Sequence, residues 1–337
     1  MTLTLSPAPL RAPPAKPRGF PWVGVSFLLL FLLALLAGAG AILAVLMPGP
    51  ATERQTIIIP HQSGLRGIGT VLAENGQILH PLLFILPAKL MSEDKLQTGE
   101  YEFPPALSVV DIIALLRAGK TVTHKITIPE GLTNAAVGKL LEGEALLSET
   151  LRDLPSEGLL FPATYHYKYG DSRNALTAQM RQMAQETLNA LWSKRVPNLP
   201  LATPEQALTL ASIIEKETGV PTERRRVAGV FINRLRKGMK LQSDPTVIFA
   251  LTQGKAPLGR SLTGTDLAFL SPYNTYAVVG LPPGPIANPG RAALEAALQP
   301  ETHDLLYFVA DGTGGHAFAK TLDEHNRNVA AWRKLRQ

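Results

Sequence analysis

Thr203-Pro-Glu-Gln-Ala-Leu-Thr-Leu-Ala-Ser-Ile-Ile-Glu-Lys-Glu-Thr-Gly219 decides how the second half of this 337-residue chain folds. Thr203 offers an N-cap oxygen, Pro204 suits a first helical position, and Gln206 stands third. Gly219 and Pro221 mark the other end. At about 100° per residue, Leu208, Ala211, Ala207, Ile214 and Leu210 sweep out one apolar arc, in that order around the helix. Glu215 falls beside Leu208, inside that arc, and Glu217 falls beyond Leu210, at its far edge. Thr209, Ser212, Glu205 and Lys216 take the polar side. Glu215 and Glu217 therefore point apart and form no carboxylate pair. An acid among apolar neighbours loses solvation of its charged form, which raises its pKa toward the range a general acid needs. The same position also suits a helix-end Glu paired with a base such as Arg224 or Arg225.

Working outward, residues 173–194 and 222–237 read as further helices. Residues 240–300 are rich in turns and Pro. Leu305 to Ala310 is a buried-strand candidate, and Thr321 to Arg336 reads as helix. Residues 150–337 are thus expected to be a mostly helical α+β domain. Three polar turns lie in it: Leu241-Gln-Ser-Asp-Pro-Thr246, Ser271-Pro-Tyr-Asn-Thr-Tyr276, and the loop from Gly280 to Gly290 that carries Asn288. Such loops are ordinary turn chemistry, and they also hold amides and hydroxyls still for a sugar polymer. Thr164-Tyr-His-Tyr-Lys-Tyr169 puts three tyrosines on one strand face, either a sugar-stacking surface or a packed edge.

Toward the N-terminus, Thr56-Ile-Ile-Ile59 is a strand followed by a helix with Leu65, Ile68, Val71 and Leu72 at helical spacing. A second helix is expected over 79–91, with Pro81 in its first turn and Pro87 breaking or kinking it. Gly99 to Phe103 reads as a strand. Ser108 and Asp111 make a capping box, and Gly119 ends that helix. The first unit recurs at a constant offset: Ile59-Pro60 matches Ile128-Pro129, Ile68-Gly69 matches Val137-Gly138, and Leu72 matches Leu141. Two strand–turn–helix units are expected, at 56–75 and 124–143, with intervening elements completing a small α/β lobe.

Phe20 to Met47 is almost wholly apolar, and no charge occurs over 19–52. At about 1.5 Å per residue this run reaches past a hydrocarbon core of roughly 30 Å. Its length exceeds the usual signal-peptide core of about 7–15 residues, so an uncleaved anchor is expected over 19–48. Residues 1–18, with Pro9, Pro13, Pro14 and Pro17, read as a disordered tail. Its Arg11, Lys16 and Arg18 predict a cytoplasmic N-terminus and a body beyond the membrane. Those three side chains, with no acid before Glu53, supply half of the net charge of +6. No basic stripe remains to bind nucleic acid. The absence of cysteine excludes disulfides, thiolate zinc sites and cysteine nucleophiles. His303, His316 and His325 lack the spacing of a zinc protease and read as local structure. Gly312-Thr-Gly-Gly315 lacks the residues of a phosphate loop and reads as a turn.

Taken in order, Leu210 to Gly219, Val230-Phe-Ile-Asn-Arg-Leu235, Leu241 to Thr246, Ser271 to Tyr276 and Gly280 to Gly290 resemble the YceG/MltG family of membrane-anchored endolytic murein transglycosylases. His316-Ala-Phe318 and Glu324-His-Asn326 extend the resemblance, which runs from about residue 55 to the end. It implies a LysM-like lobe over 55–120 and a lysozyme-like catalytic domain over 121–337. It implies Glu215 as catalytic acid and no cofactor or metal. Gln242, Tyr273 and Asn274 look similar to glycan-contacting positions of lysozyme-like transglycosylases. With them, Ser212, Asn233, Ser243, Asp244 and Asn288 complete the candidate substrate-binding set. One departure is Ala163, where relatives often carry an acid.

The resemblance implies a lyase that cleaves between N-acetylmuramic acid and N-acetylglucosamine inside glycan strands and leaves 1,6-anhydro ends. It places the enzyme in the inner membrane, near peptidoglycan synthases. Two alternatives stay open. One is a hydrolase in which Glu215 works with Asp244 or Glu217. The other is a murein-binding anchor without catalysis.

Overall fold

The computed structural model describes residues 22–91 and 95–335. The tail expected over 1–18 lies outside them. Helix α1, Trp22–Leu46, carries no charged side chain. From Gly24 to Leu46 it is long and apolar enough to cross a membrane.

The chain then forms two compact units, divided between Lys120 and Thr121. In the first, β1 (Gln55–Ile59) leads into α2 (Leu65–Glu74) and α3 (Pro81–Met91), and β2 (Gly99–Phe103) precedes α4 (Val109–Ala118). β1 and β2 pair antiparallel, with Ile57 opposite Tyr101. Alternation turns Ile57 and Ile59 inward, where Leu72, Phe84, Tyr101, Phe103, Ile112 and Leu116 meet them. The Ser108–Asp111 capping box forms, and Gly119 closes α4 at φ 62°. Of the two outcomes expected at Pro87, a break does not occur: α3 runs through it to Met91. The loss of one backbone donor is offset here by packing on either side of it, since Phe84 and Ala88 are both fully buried.

The second unit opens on the second repeat copy, β3 (His124–Thr127) and α5 (Asn134–Gly143), with β4 (Thr164–Tyr167) antiparallel to β3. The helices α6 (Arg173–Trp192), α7 (Pro204–Glu217), α8 (Arg224–Arg236), α9 (Asp244–Thr252), α10 (Gly264–Leu267) and α11 (Arg291–Leu298) follow. A hairpin of β5 (Tyr307–Ala310) and β6 (His316–Ala319), then α12 (Leu322–Leu335), completes it. In both repeat copies the helical glycine marks a close approach. A Cβ on Gly69 would lie 3.2 Å from the Pro81 carbonyl, and one on Gly138 would lie 3.2 Å from Leu154. Tyr165 and Tyr167 are buried, so they pack the core of this region and offer no stacking surface; Thr164 and His166 face out of that strand.

Helix α7 is the central element. Ala207, Leu210, Ala211, Ile213 and Ile214 are completely buried against α6, α8 and α11. The alanines of α11 let it approach closely. The expectation of a polar face on α7 fails at Thr209 and Ser212, which are also buried. Each turns its hydroxyl onto the helix's own backbone, Thr209 to the Glu205 carbonyl at 2.8 Å and Ser212 to the Thr209 carbonyl at 2.7 Å. Residues 240–300 hold α9 and α11, with the short α10 between them, where turns were expected. Pro245 sits in the first turn of α9, a position that starts helices.

Candidate active site

Helix α7 delivers two carboxylates at its C-terminal end, and the structure gives them different surroundings. The Glu215 side chain is only 6% exposed. Its Oε2 accepts the Gly290 N–H at 2.9 Å. Arg224 Nη2 lies 3.6 Å from its Oε1 and 3.8 Å from Glu130. Burial pushes the Glu215 carboxyl up, and Glu130 adds to this. The Gly290 N–H, Arg224 and Lys216 pull the other way. Glu215 is thus both a shielded acid and the helix-end partner of Arg224 that the sequence left open. Glu130 was missed; it follows Ile128-Pro129, far upstream of Glu215, and no local pattern links the two.

Glu217 meets two of the candidate residues, Ser243 and Asp244. Ser243 Oγ donates a hydrogen bond to Glu217 Oε1. The turn holding Ser243 is locked from behind. Its N–H donates to Thr275 Oγ1 at 2.9 Å, and the Gln242 N–H donates to the Thr275 carbonyl at 3.1 Å. Gln242 takes φ 53°, a left-handed conformation that costs a non-glycine residue on the order of 1 kcal/mol. Arg234 braces the same turn, donating to the Leu241 carbonyl at 2.8 Å and to Gln242 Oε1 at 3.3 Å. Tyr276 donates to Asp244 Oδ1 at 2.6 Å. Burial pushes the Glu217 carboxyl up to about 7 and Asp244 adds to it, while Ser243, His316 and Arg234 oppose it. His316 is held by Glu223, through its backbone N–H at 3.0 Å and its Nδ1 at 2.7 Å.

The remaining candidates divide by burial. Gln242 and Asp244 are exposed, and Tyr273 is half-buried against Phe249 with ring centroids 4.9 Å apart. Ser212, Asn274 and Asn288 are completely buried and Ser243 is 1% exposed, which corrects the expectation that the first three touch a glycan. Their polar atoms serve the protein itself. Ser212 Oγ accepts the Ile286 N–H at 3.0 Å. Asn274 donates to the carbonyls of Leu267 at 3.0 Å and Phe269 at 2.7 Å. Asn233 is half-buried and donates to the His303 carbonyl at 2.7 Å and the Leu305 carbonyl at 3.1 Å, again a scaffold role.

Asn288 is the main tie. Its Oδ1 accepts the Leu160 N–H at 2.8 Å, and its Nδ2 donates to the Leu132 carbonyl and to Asn134 Oδ1, each at 2.9 Å. It fixes the loop that ends in Gly290, and so the donor that reaches Glu215. A third acid, the half-buried Glu157, accepts the Asn134 N–H at the start of α5 at 2.8 Å, and desolvation pushes its carboxyl up to about 7. Asp244 comes together with Glu217, not with Glu215.

The sequence matches the profile of the YceG-like family over residues 57–331. A protein named endolytic murein transglycosylase from Streptococcus pneumoniae serotype 2 is 33% identical over 360 residues, which cover 91% of this chain. This chain spans 64% of that relative's length. A protein of the same name from Bacillus subtilis is 33% identical over 306 residues, 80% of this chain and 82% of the relative. A crystal structure of a YceG-like protein from Listeria monocytogenes is similar at 33% identity, with a TM-score of 0.49, over 82% of this chain and 99% of that one. With the profile covering most of its residues, the chain belongs to the YceG-like family.

Proposed function

We propose that this chain is a membrane-anchored lytic transglycosylase that cuts peptidoglycan glycan strands internally, with Glu217 as its acid and base. The relatives' names support the reaction class. The observation that carries the residue assignment is geometric: Glu217 accepts the Ser243 hydroxyl in the turn whose Gln242 and Asp244 face solvent, and burial raises its carboxyl.

Protonated Glu217 gives its proton to the oxygen between N-acetylmuramic acid and N-acetylglucosamine, and the C1–O bond breaks. The substrate's own N-acetyl group shares the positive charge that develops at C1. The muramic C6 hydroxyl then closes on C1, and Glu217, now a carboxylate, takes its proton. One carboxyl thus acts twice and ends as it began. Glu215 is the second reading, favoured by its own burial-raised carboxyl.

In this proposal residues 55–120 form a LysM-like lobe that holds glycan and residues 121–337 form a lysozyme-like catalytic domain. The anchor expected over 19–48, which contains α1, holds both in the inner membrane. Arg11, Lys16 and Arg18 keep the N-terminus in the cytoplasm. Peptidoglycan synthases in the same membrane are the proteins this location brings within reach.

Mass spectrometry of strands digested by the full chain tests the reaction class. Anhydro ends, one water lighter than reducing ends, are expected. Reducing ends would instead require a hydrolase, and intact strands would leave a binding anchor. The pH profile tests the acid. Turnover should fall as pH rises through about 7, where Glu217 ionises. Ser243→Ala removes a bond to the carboxylate and should move that limb upward. Asp244→Asn removes a like charge and should move it downward. Two limbs moving in the same direction would contradict Glu217 as the titrating group.

A further inference from the structure

Beside α7 lies a pocket of about 600 Å³ that the reaction above leaves unused. Its walls are mostly apolar, with Ile248, Phe249 and Leu258 on one side and Ala136 on the other. Its lining includes Lys139, Lys216 and Lys255 and no acid. All three lysines are exposed. Lys139 Nζ rests on the Lys255 carbonyl at 3.4 Å, and Lys216 Nζ on the Gly131 carbonyl at 3.2 Å. Lys216 is near enough to Glu215 to pull its carboxyl down. Lys139 and Lys255 meet no carboxylate at ion-pair distance among the described residues, so the charge at that end of the pocket stands uncompensated. Gly131 and Lys216, both in its lining, lie against Glu215, and Pro245 follows Asp244, so the cavity adjoins the carboxylate-bearing end of α7.

A glycan strand of N-acetylated sugars brings no charge to meet these ammonium groups, because the lactyl carboxylate of its muramic acid is tied up in an amide. Its negative charge lies on the peptide stem, which carries free carboxylates on a backbone of small apolar side chains. We propose that this pocket is a stem site: it takes the carboxylate-bearing peptide of the muramic acid residue beside the cut. This rests on the murein reading above. The apolar walls take the alanyl methyls, and the lysines meet the carboxylates.

The test separates binding from cleavage. Full-length protein carrying Glu215→Gln and Glu217→Gln is silent under either assignment of the acid. Its affinity is measured by calorimetry for two glycan preparations of equal length, one with stems and one stripped of them by an amidase, with the lactyl carboxylates so freed then capped as simple amides. Stem-bearing strands should bind about tenfold more tightly, as expected for a small number of screened charge pairs. Adding Lys139→Ala and Lys255→Ala should erase that ratio, while Lys139→Arg with Lys255→Arg should keep it. Equal affinity for the two preparations, no binding of either, or a ratio that survives both alanines would overturn the stem site. A stem preference in a protein whose wild type releases no product would instead uphold this site and sink the lyase reading.

Discussion

Glu217→Gln is expected to lower turnover on glycan strands by at least about 10³-fold, toward the upper range for loss of a general acid. Glutamine keeps the shape and still accepts the Ser243 hydroxyl, so the loss is of the proton and not of the fold. The same substitution should stabilise the protein at alkaline pH, and the sign follows from the carboxyl itself. In the unfolded chain Glu217 titrates near its ordinary 4.5, and in the folded protein at about 7. The folded state therefore binds the extra proton between those values. Its contribution to stability is complete below about 4.5 and is lost as pH rises to about 7, up to about 3 kcal/mol in all. The variant cannot ionise and escapes that loss. Its melting temperature should exceed the wild type's at pH 8 and match it near pH 4. A variant that is inactive but less stable at pH 8 would place Glu217 in a structural role.

The largest loss of stability should come from Asn288→Ala. The side chain is fully buried and makes three hydrogen bonds, to Leu160 and to the Leu132–Asn134 segment. Truncation leaves the Leu160 N–H without its acceptor and Asn134 Oδ1 without its donor. One unsatisfied buried group costs about 1–3 kcal/mol, so a total of about 4 kcal/mol is expected, with a fall in melting temperature on the order of 10 °C. Thermal denaturation of the purified variant reads this directly. A fall of only a degree or two would mean that water replaces the amide, and would remove Asn288 as the tie that sets Gly290 against Glu215.

Local signals in the sequence foretold local structure well. The cap at Thr203, the capping box at Ser108, the stop at Gly119 and the strand at Gly99–Phe103 all rest on contacts within a few residues. The helical wheel placed Glu215 and Glu217 on opposite sides of α7, and the structure gives them separate partners, Gly290 and Ser243. What the wheel could not show is that α7 is covered on nearly every side. An apolar arc then no longer marks the inside, and Thr209, Ser212 and Glu217 are drawn in as well. Two residues of helix turn the chain by about 200°, so Asp244, weighed as a partner of Glu215, acts on Glu217 instead.

Long-range ties were silent for a different reason. Glu130 meets Arg224, and Asn288 meets Leu132 and Leu160, across separations that no periodicity encodes. Asn274 and Asn288 were expected to touch a glycan, because a buried amide that ties loops together and an exposed amide that binds sugar look alike in a sequence. Their burial, not their identity, separates the two roles. The density of proline and glycine over 240–300 also hid α9 and α11, because Pro245 and Gly290 there sit at helix starts.

The most direct test of the central claim is the product of the Glu215→Gln protein. Full-length wild type, Glu215→Gln and Glu217→Gln are each incubated with the same glycan strands, and anhydro-ended products are counted by mass spectrometry. If Glu217 is the acid, Glu215→Gln still releases them, slowed by no more than about tenfold through a disturbed Arg224 and Gly290, a loss well below that of removing an acid. Glu217→Gln releases none above background. Anhydro ends from Glu217→Gln, with none from Glu215→Gln, would contradict the account and return the catalytic role to Glu215.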